Sequence, residues 1–305
     1  MVFADVYLQP DAPDPVLDEH LVVEAARRHA PRAGRLRAVD ESGGEARAYL
    51  LDGDVVVKTQ RPHRLRPRTS LAKEAFVLDE LHRLGPFPIP RVLGSGEVAG
   101  IEYICLTRVP GSALSRTTSQ PDARRRALED LGRTLRAIHS VEQSALEHSD
   151  LVPGDRRGED LRDRITAAFA RLAAAFDADR LLGAVADVRR IAARCLEAIP
   201  QDTPPVSLHS NPGPEHTFVD PSSGSFAGLI DFGDAYRSHP ALDLRPWPEA
   251  GDAEALLAGY RSAGPLSSGF EEVRLAGLVM MEMARAARGR RSPDELSSSL
   301  DRLLG

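Results

Sequence analysis

Short runs of β-tolerant apolar residues fill the first third of the chain, and long stretches with an apolar residue at every third or fourth position fill most of the rest. Residues 35–39 and 46–51 read as two strands joined by the turn Asp40-Glu41-Ser42-Gly43-Gly44-Glu45, and Asp54-Val55-Val56-Val57-Lys58 as a third strand with Lys58 at its far end. In 71–81, apolar residues at 71, 75, 78 and 81 mark one face of a helix, with Glu74 beside that face and Asp79 and Glu80 expected on the surface. Pro86 to Pro90 is a rigid extended connection, and 101–109 (IEYICLTRV) is a buried strand that runs into Pro110-Gly111. The period then becomes helical: 122–139, with apolar residues at 127, 131, 135 and 138; 160–199, rich in Ala, Leu and Arg; 252–260; and one or two helices within 271–304. Loops fall at 111–121 and 262–269, and no repeat of fixed period is present.

The segment 206–244 breaks this helical pattern. Pro212, Gly213, Pro214 and the turn Pro-Ser-Ser-Gly at 221–224 interrupt any helix, while 217–219 and 226–230 have the character of short strands. If those strands pair, the hairpin returns its end to its beginning and gathers Asn211, His216 and Asp231. His209 and Asp243 complete the residues of this segment that could do chemistry.

Composition narrows the function. A chain of 305 residues with 42% hydrophobic content can bury one large or two modest domains. A net charge of -6 argues against a nucleic-acid-binding face and suits cationic small molecules. No apolar run approaches the roughly 20 residues of a membrane span, and the opening residues MVFADVYLQPDAPD lack a charged-then-apolar signal, so a soluble cytoplasmic protein is expected. Cys105 and Cys195, each in apolar surroundings, read as reduced core cysteines. Of 39 basic residues only Lys58 and Lys73 are lysine, the arginine bias of a G+C-rich, bacterial genome. A lysine kept in a strand therefore invites a reason, and a compact ammonium fits between phosphate oxygens where a guanidinium would need a different pocket.

The order and spacing of these residues resemble the aminoglycoside phosphotransferase family, small-molecule kinases related to protein kinases. The family pattern is H-G-D, four residues, N, then I-D-x-G and later P-x-x-D-L. It corresponds here to His209-Ser210-Asn211, His216, Ile230-Asp231-Phe232-Gly233 and Pro240-Ala241-Leu242-Asp243-Leu244. Two identities depart from it, because Asn211 stands at the catalytic aspartate and His216 at the metal-binding asparagine. Ser238-His239-Pro240 also replaces the usual G-D-P.

The resemblance implies an α+β, protein kinase-like two-lobed fold: a small β-rich N-lobe over 1–107, a linker over 108–111 and a larger, mainly helical C-lobe over 112–305. It implies ATP or GTP as phosphoryl donor. Lys58 would pair with the phosphates and with Glu74, Ser42-Gly43-Gly44 would cover the phosphates, and the backbone of Thr107, Arg108 and Val109 would meet the adenine edge. Asp231 would hold Mg2+, with Mn2+ as the ion that imidazole would favour; His216 could bind the ion directly, act through water, or hydrogen-bond a phosphate. A zinc site from His209, His216 and Asp231 is an alternative from another class. His139 is expected to be structural.

An amide at 211 keeps the size of a carboxylate but cannot take a proton, so turnover is expected to be reduced rather than abolished. Either a deliberate substrate-trapping replacement or natural divergence would leave this residue. The expected reaction is phosphorylation of a hydroxyl on a small molecule, with a cationic aminoglycoside-like antibiotic and self-resistance as the leading case. Asp234, with Glu249, Asp252, Glu254 and Glu282, could form an acidic acceptor pocket. The alternatives are a nucleotide-binding pseudokinase acting as a regulatory module, and a metabolite kinase of choline or homoserine type.

Overall fold

The computed structural model of the protein describes residues 7–304 apart from 68, 156–157, 180–187, 201–203, 246, 248, 288 and 290–291. The first part of the chain forms α1 (Glu19–Arg27), β1 (Leu36–Asp40), β2 (Ala46–Leu51), β3 (Val55–Gln60), α2 (Leu71–Leu84), β4 (Val92–Val98) and β5 (Ile101–Thr107). The strands make one antiparallel sheet in the order β1-β2-β3-β5-β4. Period-two burial along β2 and β3 gives the sheet two covered faces. Val55 and Val57 join Val22, Ala25 and Ala26 of α1 in one cluster, whereas Val56 packs with Leu71, Val77, Leu78 and Leu81 of α2 on the other side. Lys58 shares the parity of Val56 and so faces α2.

Three features depart from the sequence expectation. Lys58 lies within β3, opposite Ala48 and Ile104, rather than at the strand's end. Glu80 is buried and paired with Arg83, not a surface acid. Helix α1 and strand β4 were not expected. Asp18 caps α1 by accepting the Leu21 N–H at 2.9 Å, and in β4 the His29 ring lies where a Cβ on Gly94 would go while the Tyr103 hydroxyl sits close against Gly96.

The larger part begins with β6 (Ser112–Ala113) and continues through α3 (Pro121–Ser140), α4 (Ser144–Glu147), α5 (Gly158–Asp179) and α6 (Val188–Glu197). Strands β7 (Val206–Leu208), β8 (Thr217–Val219), β9 (Phe226–Leu229) and β10 (Tyr236–Ser238) follow, then α7 (Ala250–Ser262), α8 (Phe270–Ala287) and α9 (Pro293–Leu304). The expected helical stretch 160–199 is thus two helices, and 180–187 between them lies outside the described residues. Its core is continuous with the α2 side of the sheet. Cys105 and Cys195 are free and buried, as expected, and burial pushes the Cys105 thiol up to about 11. Among the described residues no helix is long and apolar enough to cross a membrane.

The most extensive helix pairing, α3 on α7, depends on two glycines. A Cβ on Gly132 would overlap the Leu256 carbonyl oxygen, and one on Gly259 would overlap the Glu129 carbonyl oxygen. Backbone rather than side chain limits the approach, so neither helix can yield by changing rotamer. Gly259→Val is expected to lower stability by about 3 kcal/mol or more, read as a fall in the urea midpoint with the slope unchanged.

Candidate active site

Two small sheets build the site. Strands β7 and β10 pair antiparallel, Leu208 opposite Tyr236, which sets the segment after β7 beside the segment before β10. Strands β8 and β9 form the expected hairpin, Thr217 opposite Leu229, and the Ile230 N–H donates to the His216 carbonyl at 3.0 Å. His216 and Asp231 therefore meet at the open end of the hairpin, with His216 Nε2 3.2 Å from Asp231 Oδ2. Asp231 holds a left-handed backbone at φ 71°, and Ser210, at the position the family pattern gives to glycine, does so at φ 84°. Such conformations cost about 1–3 kcal/mol in non-glycine residues and persist where surrounding contacts fix them.

At Ser210 those contacts come from Asp243. Its fully buried carboxylate accepts the N–H of His209 at 2.8 Å, the N–H of Ser210 at 2.7 Å and His139 Nε2 at 3.1 Å. His139 Nδ1 in turn lies 3.0 Å from the Tyr260 hydroxyl, which gives His139 the structural place expected for it. Trp247 Nε1 donates to the Pro212 carbonyl at 3.1 Å. Asn211 is exposed on this tethered loop, and its carbonyl lies 2.8 Å from His216 Nδ1.

Lys58 connects the two lobes. Its ammonium donates to Glu74 Oε2 and to Asp231 Oδ1, each at 2.6 Å. Glu74 is 2% exposed and Asp231 39% exposed, so the ion triad runs from the core to an open edge. Burial opposes the charge on Lys58, but Asp231 and Glu74 beside it hold the amine above its usual range. Burial likewise opposes the charge on Asp231, yet Lys58 and then His216 keep its carboxyl well below the usual carboxylate range. The other lysine reaches the same segment: Lys73 is buried and donates to the Ala235 carbonyl at 3.0 Å. The arginine bias pointed to both lysines, but only Lys58 was given a place in the site from sequence.

The donor set fits a divalent cation held by few protein ligands. With the His216 ring proton directed at the Asn211 carbonyl, Nε2 presents a lone pair toward Asp231, and like-signed electron density faces across 3.2 Å unless a proton or a metal lies between. A hard cation of this kind takes one or two protein ligands and completes its shell from phosphates and water. The zinc alternative does not form. Both His209 ring nitrogens are engaged, Nε2 with the Ile230 carbonyl at 2.8 Å and Nδ1 with the Asn211 N–H at 3.2 Å, and among the described residues no cluster of three His, Cys, Asp or Glu is arranged for a metal.

The remaining expected site residues are placed differently. In the 40–45 turn, the acids that would repel phosphate are paired: Glu41 with Arg47 at 2.6 Å and Glu45 with Arg66. Neither Gly43 nor Gly44 is left-handed, and a Cβ on Gly44 would meet nothing within 4 Å, so packing does not demand glycine there. The N–H of Thr107 donates to Arg91 and that of Arg108 to Asp54, at 2.9 and 2.7 Å, which removes both as donors to a base edge and leaves Val109. Three of the acids expected at the acceptor are ion-paired. Asp234 is bound by Arg66 and Thr69, Asp252 by Arg124 through two hydrogen bonds, and Glu282 by Arg285.

The sequence model of the phosphotransferase enzyme family matches residues 37–276. No curated protein sequence matches significantly. Among solved structures, the GDP complex of wild-type aminoglycoside 2'-phosphotransferase-IIIa superposes with a TM-score of 0.64 at 19% identity, covering 94% of this chain and 98% of that one. The macrolide 2'-phosphotransferase of Brachybacterium faecium gives 0.62 at 20% identity over 92% and 97%. The streptomycin–ATP ternary complex of APH(2")-IIa gives 0.59 at 15% identity over 95% and 97%. These likenesses show the protein kinase-like fold.

His209 provides a titration that geometry and charge agree on. Burial, reinforced by His216, pushes its imidazole from the ordinary 6.5 down to about 4, and the Nε2–H tautomer required by its two hydrogen bonds is the neutral one. A depressed folded value means stability that is complete above pH ~6.5 and lost as the pH falls toward ~4, roughly 3 kcal/mol in all. Urea midpoints measured from pH 7 to 4.5 should fall, and His209→Gln should fall less steeply over the same range; parallel curves would refute the assignment.

Proposed function

Because the chain belongs to the phosphotransferase enzyme family, we propose that it moves the terminal phosphoryl group of ATP or GTP to a hydroxyl of a small molecule, an antibiotic being the leading acceptor. The observation that carries this reading is the Lys58 ammonium held between Glu74 and Asp231. An ammonium fixed by two carboxylates beside an open edge is placed to meet phosphate oxygens without rearranging, and phosphoryl transfer depends mainly on positioning and charge. Asp231 and His216 would hold a divalent cation, Mg2+ or Mn2+, which supplies further neutralisation of phosphate charge when bound. The hairpin around Ser42, Gly43 and Gly44 would lie over the phosphates, with Val109 next to the base.

In the reaction the acceptor oxygen forms a bond to the terminal phosphorus as the bond from that phosphorus to the bridging oxygen breaks, releasing the nucleoside diphosphate. Asn211 can orient the acceptor hydroxyl by hydrogen bonding, but its amide cannot remove the hydroxyl proton, which would pass to an oxygen of the transferred phosphoryl group or to water. The pairing of Asp234, Asp252 and Glu282 with arginines leaves less acidic surface for a polycation, which favours acceptors of low positive charge within the antibiotic class. A second reading, a nucleotide-binding pseudokinase, is favoured by Asn211 alone.

Thermal-shift titration tests the nucleotide step. ATP or GTP with Mg2+ or Mn2+ should stabilise the protein by about 2.7 kcal/mol at a hundredfold excess over the dissociation constant, and Lys58→Met should remove that gain. No shift with either nucleotide and either metal would overturn both readings. For the chemical step, Asn211→Asp should raise acceptor phosphorylation by roughly 10² to 10⁴-fold. An unchanged, measurable rate would remove position 211 from the reaction, whereas no turnover in either form with intact nucleotide binding would leave the pseudokinase reading.

A further inference from the structure

The hairpin over the proposed phosphate site is held directly to the opposite lobe by Arg116. Arg116 lies in the 3-10 turn Leu114–Arg116 after β6, on the floor side of the cleft. Its segment is hydrogen-bonded to the loop that carries Asn211: β6 pairs with β8, Ala113 opposite Phe218, and the neighbouring Ser115 N–H donates at 2.9 Å to the carbonyl of Pro214, which lies between Asn211 and His216. Its guanidinium reaches to the roof, where Nη2 donates to Ser42 Oγ at 2.6 Å and Nη1 to Asp40 Oδ2 at 3.2 Å. Asp40 also accepts the Ser42 N–H at 2.9 Å, so the arginine grips a turn that is already closed on itself.

The other acids of the hairpin are neutralised from within the small lobe, Glu41 by Arg47 and Glu45 by Arg66. The contact of Asp40 and Ser42 with Arg116 is different in kind, because it joins parts of the chain 74 to 76 residues apart on opposite sides of the proposed nucleotide. It is also exposed, at 58% for Arg116 and 37% for Asp40. Exposed ion pairs contribute little to folding and break readily. A contact that spans two lobes, adds little to stability and borders a ligand path is suited to opening and closing.

We propose that Arg116 is a positioning residue that clasps the 40–44 hairpin onto the large lobe and thereby sets how long a nucleotide stays bound. The proposal rests on the nucleotide-binding reading above and adds a residue to it. With the clasp closed, the hairpin main chain is held over the phosphates; with it broken, the hairpin swings with the small lobe and the nucleotide escapes.

Stopped-flow release of a fluorescent N-methylanthraniloyl-ADP, bound with Mg2+, reads the clasp directly. Arg116→Ala should speed release about two- to fivefold, the scale of one exposed ion pair, and the double variant Asp40→Asn, Ser42→Ala should do the same. Combining all three substitutions should release no faster than either alone, and the melting temperature of the ligand-free protein should stay unchanged in each. Unaltered release in Arg116→Ala overturns the proposal. So does faster release in Arg116→Ala with wild-type release in the hairpin variant, since the guanidinium would then act on the nucleotide itself. Wild-type protein that binds neither this probe nor its GDP counterpart refutes the nucleotide reading and the clasp with it, whereas normal binding with unaltered release in the variants refutes the clasp alone.

Discussion

An ammonium cannot be taken out of water unless its charge is answered, and at Lys58 two carboxylates answer it from different parts of the chain. Glu74 comes from the first turn of α2, where Ser70 caps the helix by accepting the Lys73 N–H at 3.1 Å. Asp231 comes from the end of the β8–β9 hairpin, 173 residues away. Removing Lys58 would leave the buried Glu74 carboxylate without its counter-charge, so sheet, helix and hairpin hold one another in place through this triad. The arrangement carries one cation against two carboxylates. Its remaining negative charge lies on the exposed side, at Asp231, where a bound cation can balance it.

The loop that carries Asn211 is held by contacts that do not involve the Asn211 side chain. Asp243 binds the main chain at 209 and 210, Trp247 binds the carbonyl of 212, and His216 meets the carbonyl of 211. The left-handed turn at Ser210 is fixed by the same carboxylate, which is why a serine can occupy a position where glycine would be less strained. Identity at 211 is thus separated from loop geometry. A carboxylate or an amide there sits on the same backbone, and the difference between them lies in proton transfer and in charge.

Much of this was legible because it is local. The breakers at 212–214 and 221–224 delimit two short strands, and pairing them brings the ends together, so the meeting of His216 and Asp231 could be anticipated from spacing alone. Alternation along β3 gave Lys58 a strand but not its length, since Thr59 and Gln60 are polar yet paired in the sheet. Strand β4 stayed hidden because its glycines, which make room for His29 and Tyr103, look like a turn when their neighbours are unknown. Long-range ion pairing was not legible. Asp234 and Asp252 read as available acids, and only the fold shows Arg66 and Arg124, 168 and 128 residues away, already bound to them.

The two departures from the family pattern act on charge in the same direction. Asparagine at 211 removes a negative charge from the loop, and histidine at 216 places a group beside Asp231 that is neutral or positive but never negative. The protein part of the proposed cation site is therefore less anionic than the pattern would make it, and its attraction for a free ion is weaker. A triphosphate carries several negative oxygens into the same space. In the proposed reaction the cation would then enter chiefly with its nucleotide, while the fixed Lys58–Asp231 contact, already formed without either, sets where the pair comes to rest.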